Sequence, residues 1–221
     1  MSRRYLYATG LLGIAAVGIY VGTTILGGIL NPEYSQVRDA ISELTGSAAP
    51  DRATLAPLYI AYNLVLLGFG YAMFRAVGGG IRFAITVVLF GLAALSGIGQ
   101  VTAFRMDSVE SIATAAGGLH AILAGVSSLL CLALAILYGN AFQFVPALRS
   151  LSRFSFVTAV LLVLAAPLAI GSIGTNVMGL FERITIGVFE LWVAVVAFAC
   201  VLAARSMGTH ARRAGSAPVA A

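Results

Sequence analysis

The chain has 221 residues, of which 60% are hydrophobic and only 10% charged, with a mean hydropathy of +1.00 and a formal net charge of +5. A soluble domain carries about 25% charged residues, so this composition excludes a water-facing globular domain and selects a polytopic membrane protein. The positive charge sits in short loops between apolar runs, which excludes a nucleic-acid surface as its purpose.

The charge-free intervals are 5–32, 53–74, 83–104, 111–148, 154–181 and, with Glu190 inside it, 184–204. Each supplies the roughly 20 apolar residues that a helix needs to cross about 30 Å of hydrocarbon. The expected fold is therefore all-α: residues 1–204 form a bundle of six transmembrane helices, with no soluble domain left over. The first run follows Arg3 and Arg4 but is about twice the length of a signal-peptide core, and no A-x-A site follows it. It reads as an uncleaved first span.

Between spans one and two lies "NPEYSQVRDAISELTG". Asn31-Pro32-Glu33 reads as a cap, a proline at the first helical position and an acid near the positive helix end. Tyr34, Val37, Ile41 and Leu44 follow at spacings of 3, 4 and 3, with Ser35, Asp39 and Ser42 on another face, flanked by Arg38 and Glu43. The pattern predicts an amphipathic helix of about three turns, about 32–45, on the outer face of the membrane, stopped at Gly46. It either seals the bundle or acts as a lid whose Ser35, Arg38, Asp39 and Ser42 face a site.

Within the spans, Asn63, Gln100, His120 and Glu190 are the most polar residues of four different helices. Counting at 1.5 Å per residue places Asn63, His120 and Glu190 roughly 10–14 Å below the same surface. Polar groups in hydrocarbon are costly and turn toward partners inside the bundle, so equal depth points to one polar cavity, with His120 and Glu190 within reach of each other or of one shared water and roofed by Asp107 and Arg183. Arg105, Asp107, Glu110, Glu182 and Arg183 lie above it as a charged rim. Gly18-x-x-x-Gly22 and the row Gly117, Ala121, Gly125 supply the small residues that allow close helix approach. Trp192 is too deep for an interfacial belt and reads as packed within the bundle.

All 13 basic residues are arginines. Nine of them (Arg3, Arg4, Arg75, Arg82, Arg149, Arg153, Arg205, Arg212, Arg213) fall on one side of the six spans, with no acid among them. The positive-inside rule then puts both termini in the cytoplasm, in a plasma membrane. Residues 205–221 form a basic tail without apolar periodicity, expected to be disordered. Cys131 and Cys200 lie inside spans on the reducing side and do not suggest a disulfide. They lack zinc-ligand spacing, and there is no glycine-rich phosphate loop, Walker pattern or H-E-x-x-H. No metal or other cofactor is expected, and membrane lipids are the expected partners.

Three motifs together resemble the family called domain of unknown function 998: "YSQVRDAISELT", "FRMD" followed thirteen residues after Asp107 by His120 in "GGLHAILAG", and "GLFERITIGVFELW". The resemblance covers nearly the whole chain. It implies a six-helix prokaryotic integral membrane protein without an established activity, and recurrent polar positions at Ser35, Ser42, Asp107, His120 and Arg183. Family members often carry proline where this chain has Arg105, a cation beside Asp107. The sequence supports three readings, in this order: an outward-facing cavity that binds a lipid headgroup or small molecule, an enzyme acting on a lipid with His120 as base, and a proton-coupled transporter using Glu190 and His120.

Overall fold

The computed structural model describes residues 2–107 and 114–215. Six long helices run in order: α1 (Arg3–Leu30), α2 (Arg52–Ala76), α3 (Ile81–Thr102), α4 (Ala115–Phe142), α5 (Ser150–Gly171) and α6 (Met178–Gly215). Each holds an 18-residue window of mean hydropathy between 1.5 and 2.4, enough by length and composition to cross a membrane. Short 3-10 turns at Ile41–Thr45 and Pro146–Leu148 are the other helical elements among the described residues. The all-α, six-span architecture read from the sequence is the one observed.

Each helix packs against its neighbours in sequence, and α6 returns against α1, so the six close into a ring. The α2–α3 connection is tight because Gly78 and Gly79 take positive φ of 116° and 64°, which costs little without a Cβ. Hydroxyls within the spans satisfy themselves locally: Thr9, Thr23, Ser155, Thr158 and Thr185 each donate to the carbonyl four residues back.

The half of the ring away from the 31–51 loop is dense. Trp192, Tyr138, Phe69, Phe90 and Phe142 are fully buried. Phe69 meets Phe90 and Trp192 edge-on, at centroid separations of 5.8 and 6.5 Å. Trp192 Nε1 donates to Ser155 Oγ across to α5 at 2.9 Å, so its one polar atom is paired in the apolar interior. Close approach here comes from Gly10, Gly13 and Gly70: a Cβ on each would run into Val201, into Ala197 and Phe69, or into Phe90. Gly18 and Gly22 have nothing within 4 Å of an added Cβ, so the GxxxG row expected to bring α1 close to a neighbour does not do so.

Two expectations need correction. The 31–51 segment contains only the five-residue 3-10 turn Ile41–Thr45, preceded by turns, rather than three turns of α-helix. Its carbonyls are used elsewhere. Gly179 N–H donates to the Arg38 carbonyl and Leu180 N–H to that of Val37, filling first-turn donors of α6 that have no partner in their own helix. The Asp39 carboxylate accepts the Ser35 N–H at 2.7 Å and is forked by Arg38, at 2.5 Å from Nε and 2.9 Å from Nη2, a side-chain competitor to helical bonding. Ile41 and Leu44 are buried as the spacing suggested, whereas Val37 is exposed. The second correction concerns the tail: α6 continues as helix to Gly215 rather than ending near residue 205. Residues 216–221 and Glu110 lie outside the described residues.

Candidate functional site

The loop-side half of the ring holds a cavity of about 300 Å³, walled by α2, α3, α4, α5 and α6 with Tyr20 of α1, and roofed by the 31–51 segment. All four intramembrane polar residues line it: Asn63, Gln100, His120 and Glu190. Their side chains do not bond to one another, although the His120 ring also interacts with the Gln100 backbone, and each side chain is held by its own neighbour.

Glu190 is 5% exposed. Its Oε1 accepts a hydrogen bond from the Tyr62 hydroxyl of α2, and its Oε2 is buried without a hydrogen-bond partner. A buried acceptor left unmade carries a desolvation cost. His120, also buried, has its Nδ1 2.8 Å from the Phe104 carbonyl beyond the end of α3. Asn63 Nδ2 donates to the Tyr59 carbonyl at 2.8 Å, in space that Gly97 of α3 leaves free. Gln100 Nε2 reaches Ser96 Oγ and Ser127 Oγ, both at 3.3 Å, and those hydroxyls are 2.9 Å apart. Gln100 therefore knits α3 to α4.

The roof is tied down at both ends. Arg183 of α6 donates from Nε to Gln36 Oε1 at 2.8 Å, from Nη1 to the Asp39 carbonyl at 2.9 Å and from Nη2 to the Tyr34 hydroxyl. Its guanidinium also lies over the Tyr34 ring, 5.4 Å from the centroid. Glu182 Oε2 accepts the Ile41 N–H at 2.5 Å, at the start of the 3-10 turn. Leu44 seats against α1 where Gly27 leaves room. On the far side, Ser47 N–H donates to the Met106 carbonyl at 3.0 Å, and Ser42 Oγ lies 2.9 Å from Met106 Sδ.

Electrostatics within the roof follow from these contacts. The Arg38 guanidinium holds the Asp39 carboxyl below its ordinary range. Burial, reinforced by the nearby negative charges of Asp39 and Glu182, pushes the Glu43 carboxyl up to about 7; its Oε1 is buried without a partner.

Among the rim residues, Asp107 accepts both the N–H and the hydroxyl of Thr114, at 2.9 Å and 2.8 Å, while Thr114 Oγ1 caps α4 through the Gly117 N–H at 3.1 Å. Gly117 is needed for this fit, since a Cβ there would strike the Asp107 carboxylate. Arg105 is half-buried and forms no ion pair with Asp107; the one ion pair among the described residues is Arg38–Asp39. Ser35 Oγ accepts the Arg38 N–H at 3.3 Å and faces the loop rather than the cavity. Ser42, Asp107 and Glu182 reach the cavity lining.

Sequence reasoning passed over Tyr59 and Tyr62 and read Tyr34 only as part of an apolar face. Tyr62 holds Glu190, Tyr34 holds Arg183, and Tyr59 bonds Thr24 of α1 at 3.0 Å. The available signal was the run Tyr59, Tyr62, Asn63 on one face of α2, at the depth already assigned to the other polar groups.

A family model described as "Protein of unknown function (DUF998)" matches residues 14–199. No curated protein and no solved structure matches the chain.

Proposed function

We propose that this chain, which belongs to the DUF998 family and takes no activity from it, binds a membrane amphiphile in the cavity beneath its loop. The observation that carries this reading is Glu190: a 95% buried carboxylate with one oxygen unpartnered, set in a cavity that also holds Asn63, Gln100 and His120. Protein interiors ordinarily pair their buried acceptors. A volume of about 300 Å³ stands at the lower end of the roughly 300–1,000 Å³ usual for ligand pockets. The apolar wall, with Leu162 and Ile170 of α5, suits a hydrocarbon tail.

The arginine distribution supports placing the loop on the outer face, with both termini cytoplasmic. The ligand would then enter from the outer leaflet. Reporter tags at each terminus should read as internal; an external reading at either end would reverse the direction of access.

Native mass spectrometry of the protein released from membranes in mild detergent tests the binding. Wild type should carry a noncovalent adduct of lipid mass. Gly125→Leu, which fills space where an added Cβ meets nothing within 4 Å, should lose it. A wild type without any adduct, or the same adduct on the filled variant, would overturn the reading.

A further inference from the structure

We propose that the amphiphile carries an ammonium group, and that its tail leaves the cavity sideways between the loop-side halves of α4 and α5. This rests on the binding reading above and adds to it the charge of the headgroup and the direction of the tail.

The headgroup follows from the lining. Three acidic residues line the cavity, Asp107, Glu182 and Glu190, the first two already accepting from Thr114 and from the Ile41 N–H; no arginine is among the lining residues, and the chain has no lysine. The nearby cation Arg183 is spent on Gln36, Asp39 and Tyr34. A phosphate or carboxylate head would therefore meet like charge, with His120 the one lining group able to carry a positive charge against it. An ammonium instead meets the free Oε2 of Glu190 and supplies the counter-charge that the protein does not. Tyr20, Tyr59 and Tyr62 also line the cavity; they pack on one another, Tyr20 lying 4.8 Å from Tyr62 and 5.5 Å from Tyr59 by centroid, and would border the ammonium as one aromatic cluster. Acidic groups beside an aromatic cluster are a chemistry that recognises ammonium ions.

The tail route follows from burial. Along α4 no residue from 121 to 133 is buried, whereas Leu134, Ala135, Tyr138, Phe142 and others below are. Along α5 burial stops at Ala165, just before Pro167, and residues 166–171 are all partly or fully exposed. Yet Gly125 and Ser128 of α4 and Ala166 and Ile170 of α5 line the cavity. These two half-helices form a thin wall with the cavity on one side and hydrocarbon on the other.

The test compares three single-chain probes with the same tail: dodecylamine, dodecanol and dodecyl phosphate. Each is added below its micelle concentration to purified protein in a non-ionic detergent, and thermal unfolding is followed for wild type, Glu190→Gln and Gly125→Leu. Dodecylamine should raise the wild-type midpoint by about 4 °C and leave both variants unmoved. If Glu190→Gln does not yield folded protein, Gly125→Leu carries the comparison. An equal rise in all three proteins would overturn the proposal as a general surfactant effect. A rise with dodecanol or dodecyl phosphate but not with the amine would overturn the ammonium while keeping the binding reading. No rise with any probe would remove both.

Discussion

Glu190 and Trp192 are two residues apart on α6, yet they belong to regions built on opposite principles. Trp192 is fully buried in a jacket of Phe69, Tyr138 and Phe189, and its single polar atom is paired with Ser155. Glu190 borders open volume and keeps an oxygen without a partner. The contrast does not come from glycine content, because both halves use small residues. In the dense half each of Gly10, Gly13 and Gly70 is matched by a large side chain on the facing helix, whereas Gly125 faces nothing within 4 Å. Small residues become packing when a neighbour is large and become a cavity when it is not.

The comparison breaks most visibly at its dense side. Trp192→Ala should cost about 3 kcal/mol, measured as unfolding in a fixed detergent, because it opens a void in a filled interior and leaves Ser155 without its donor. A loss below about 1 kcal/mol would mean that this half is no better packed than the other.

The same substitution made in each half sharpens the contrast. Gly70→Ala drives a Cβ into the Phe90 ring, where Phe90 Cβ itself would be 2.8 Å away, and should destabilise by about 1–3 kcal/mol. Gly125→Ala meets open space and should be neutral or gain up to about 1 kcal/mol from helix propensity. Equal costs at the two sites would erase the distinction.

Much of this organisation is legible in the sequence, because depth and span are compositional. Charge-free runs bounded by arginine locate the six helices: Arg52 opens α2 and Arg75 sits in its last turn. Position along each helix also puts Asn63, Gln100, His120 and Glu190 in one half of the bundle, where they line one volume. What the sequence does not carry is rotation about each helix axis and competition for backbone groups. His120 bonds the Phe104 carbonyl and Glu190 takes the Tyr62 hydroxyl, so the two are not directly paired. The helical spacing of Ile41 and Leu44 is real, but the carbonyls of Val37, Arg38 and Asp39 serve α6 and Arg183, so three turns of helix do not form.

At the boundary between the halves, Glu190→Leu should cost about 1–2 kcal/mol because it strands the Tyr62 hydroxyl, while Glu190→Gln, which keeps an acceptor for it, should stay within about 1 kcal/mol of wild type. Unfolding in detergent separates the two; an equal loss would show that charge rather than the hydrogen bond holds the contact.

The smallest expected effect lies in the roof. Because the folded Glu43 carboxyl titrates at about 7, well above an unfolded value near 4.5, the folded loop binds more protons across that interval. Its contribution is fully present below about pH 4.5 and is lost as pH rises through 7. Hydrogen exchange of the 41–46 amides should therefore quicken modestly between pH 5 and 8, after correction for intrinsic exchange, and Glu43→Gln should remove the trend. A trend that survives Glu43→Gln would assign it to another group.

The central claim is that the loop-side half is hollow because it receives an amphiphile, while the other half is closed. Photo-crosslinking tests it most directly, with a dodecylamine derivative that bears a diazirine in its tail, mapped by peptide mass spectrometry. The account predicts insertion at cavity-lining Gly125, Ser128 and Ala166, competed by unlabelled dodecylamine, and none at Phe69, Phe90 or Trp192. Labelling confined to membrane-facing side chains such as Leu129 and Val163, which are 65% and 54% exposed, would contradict it.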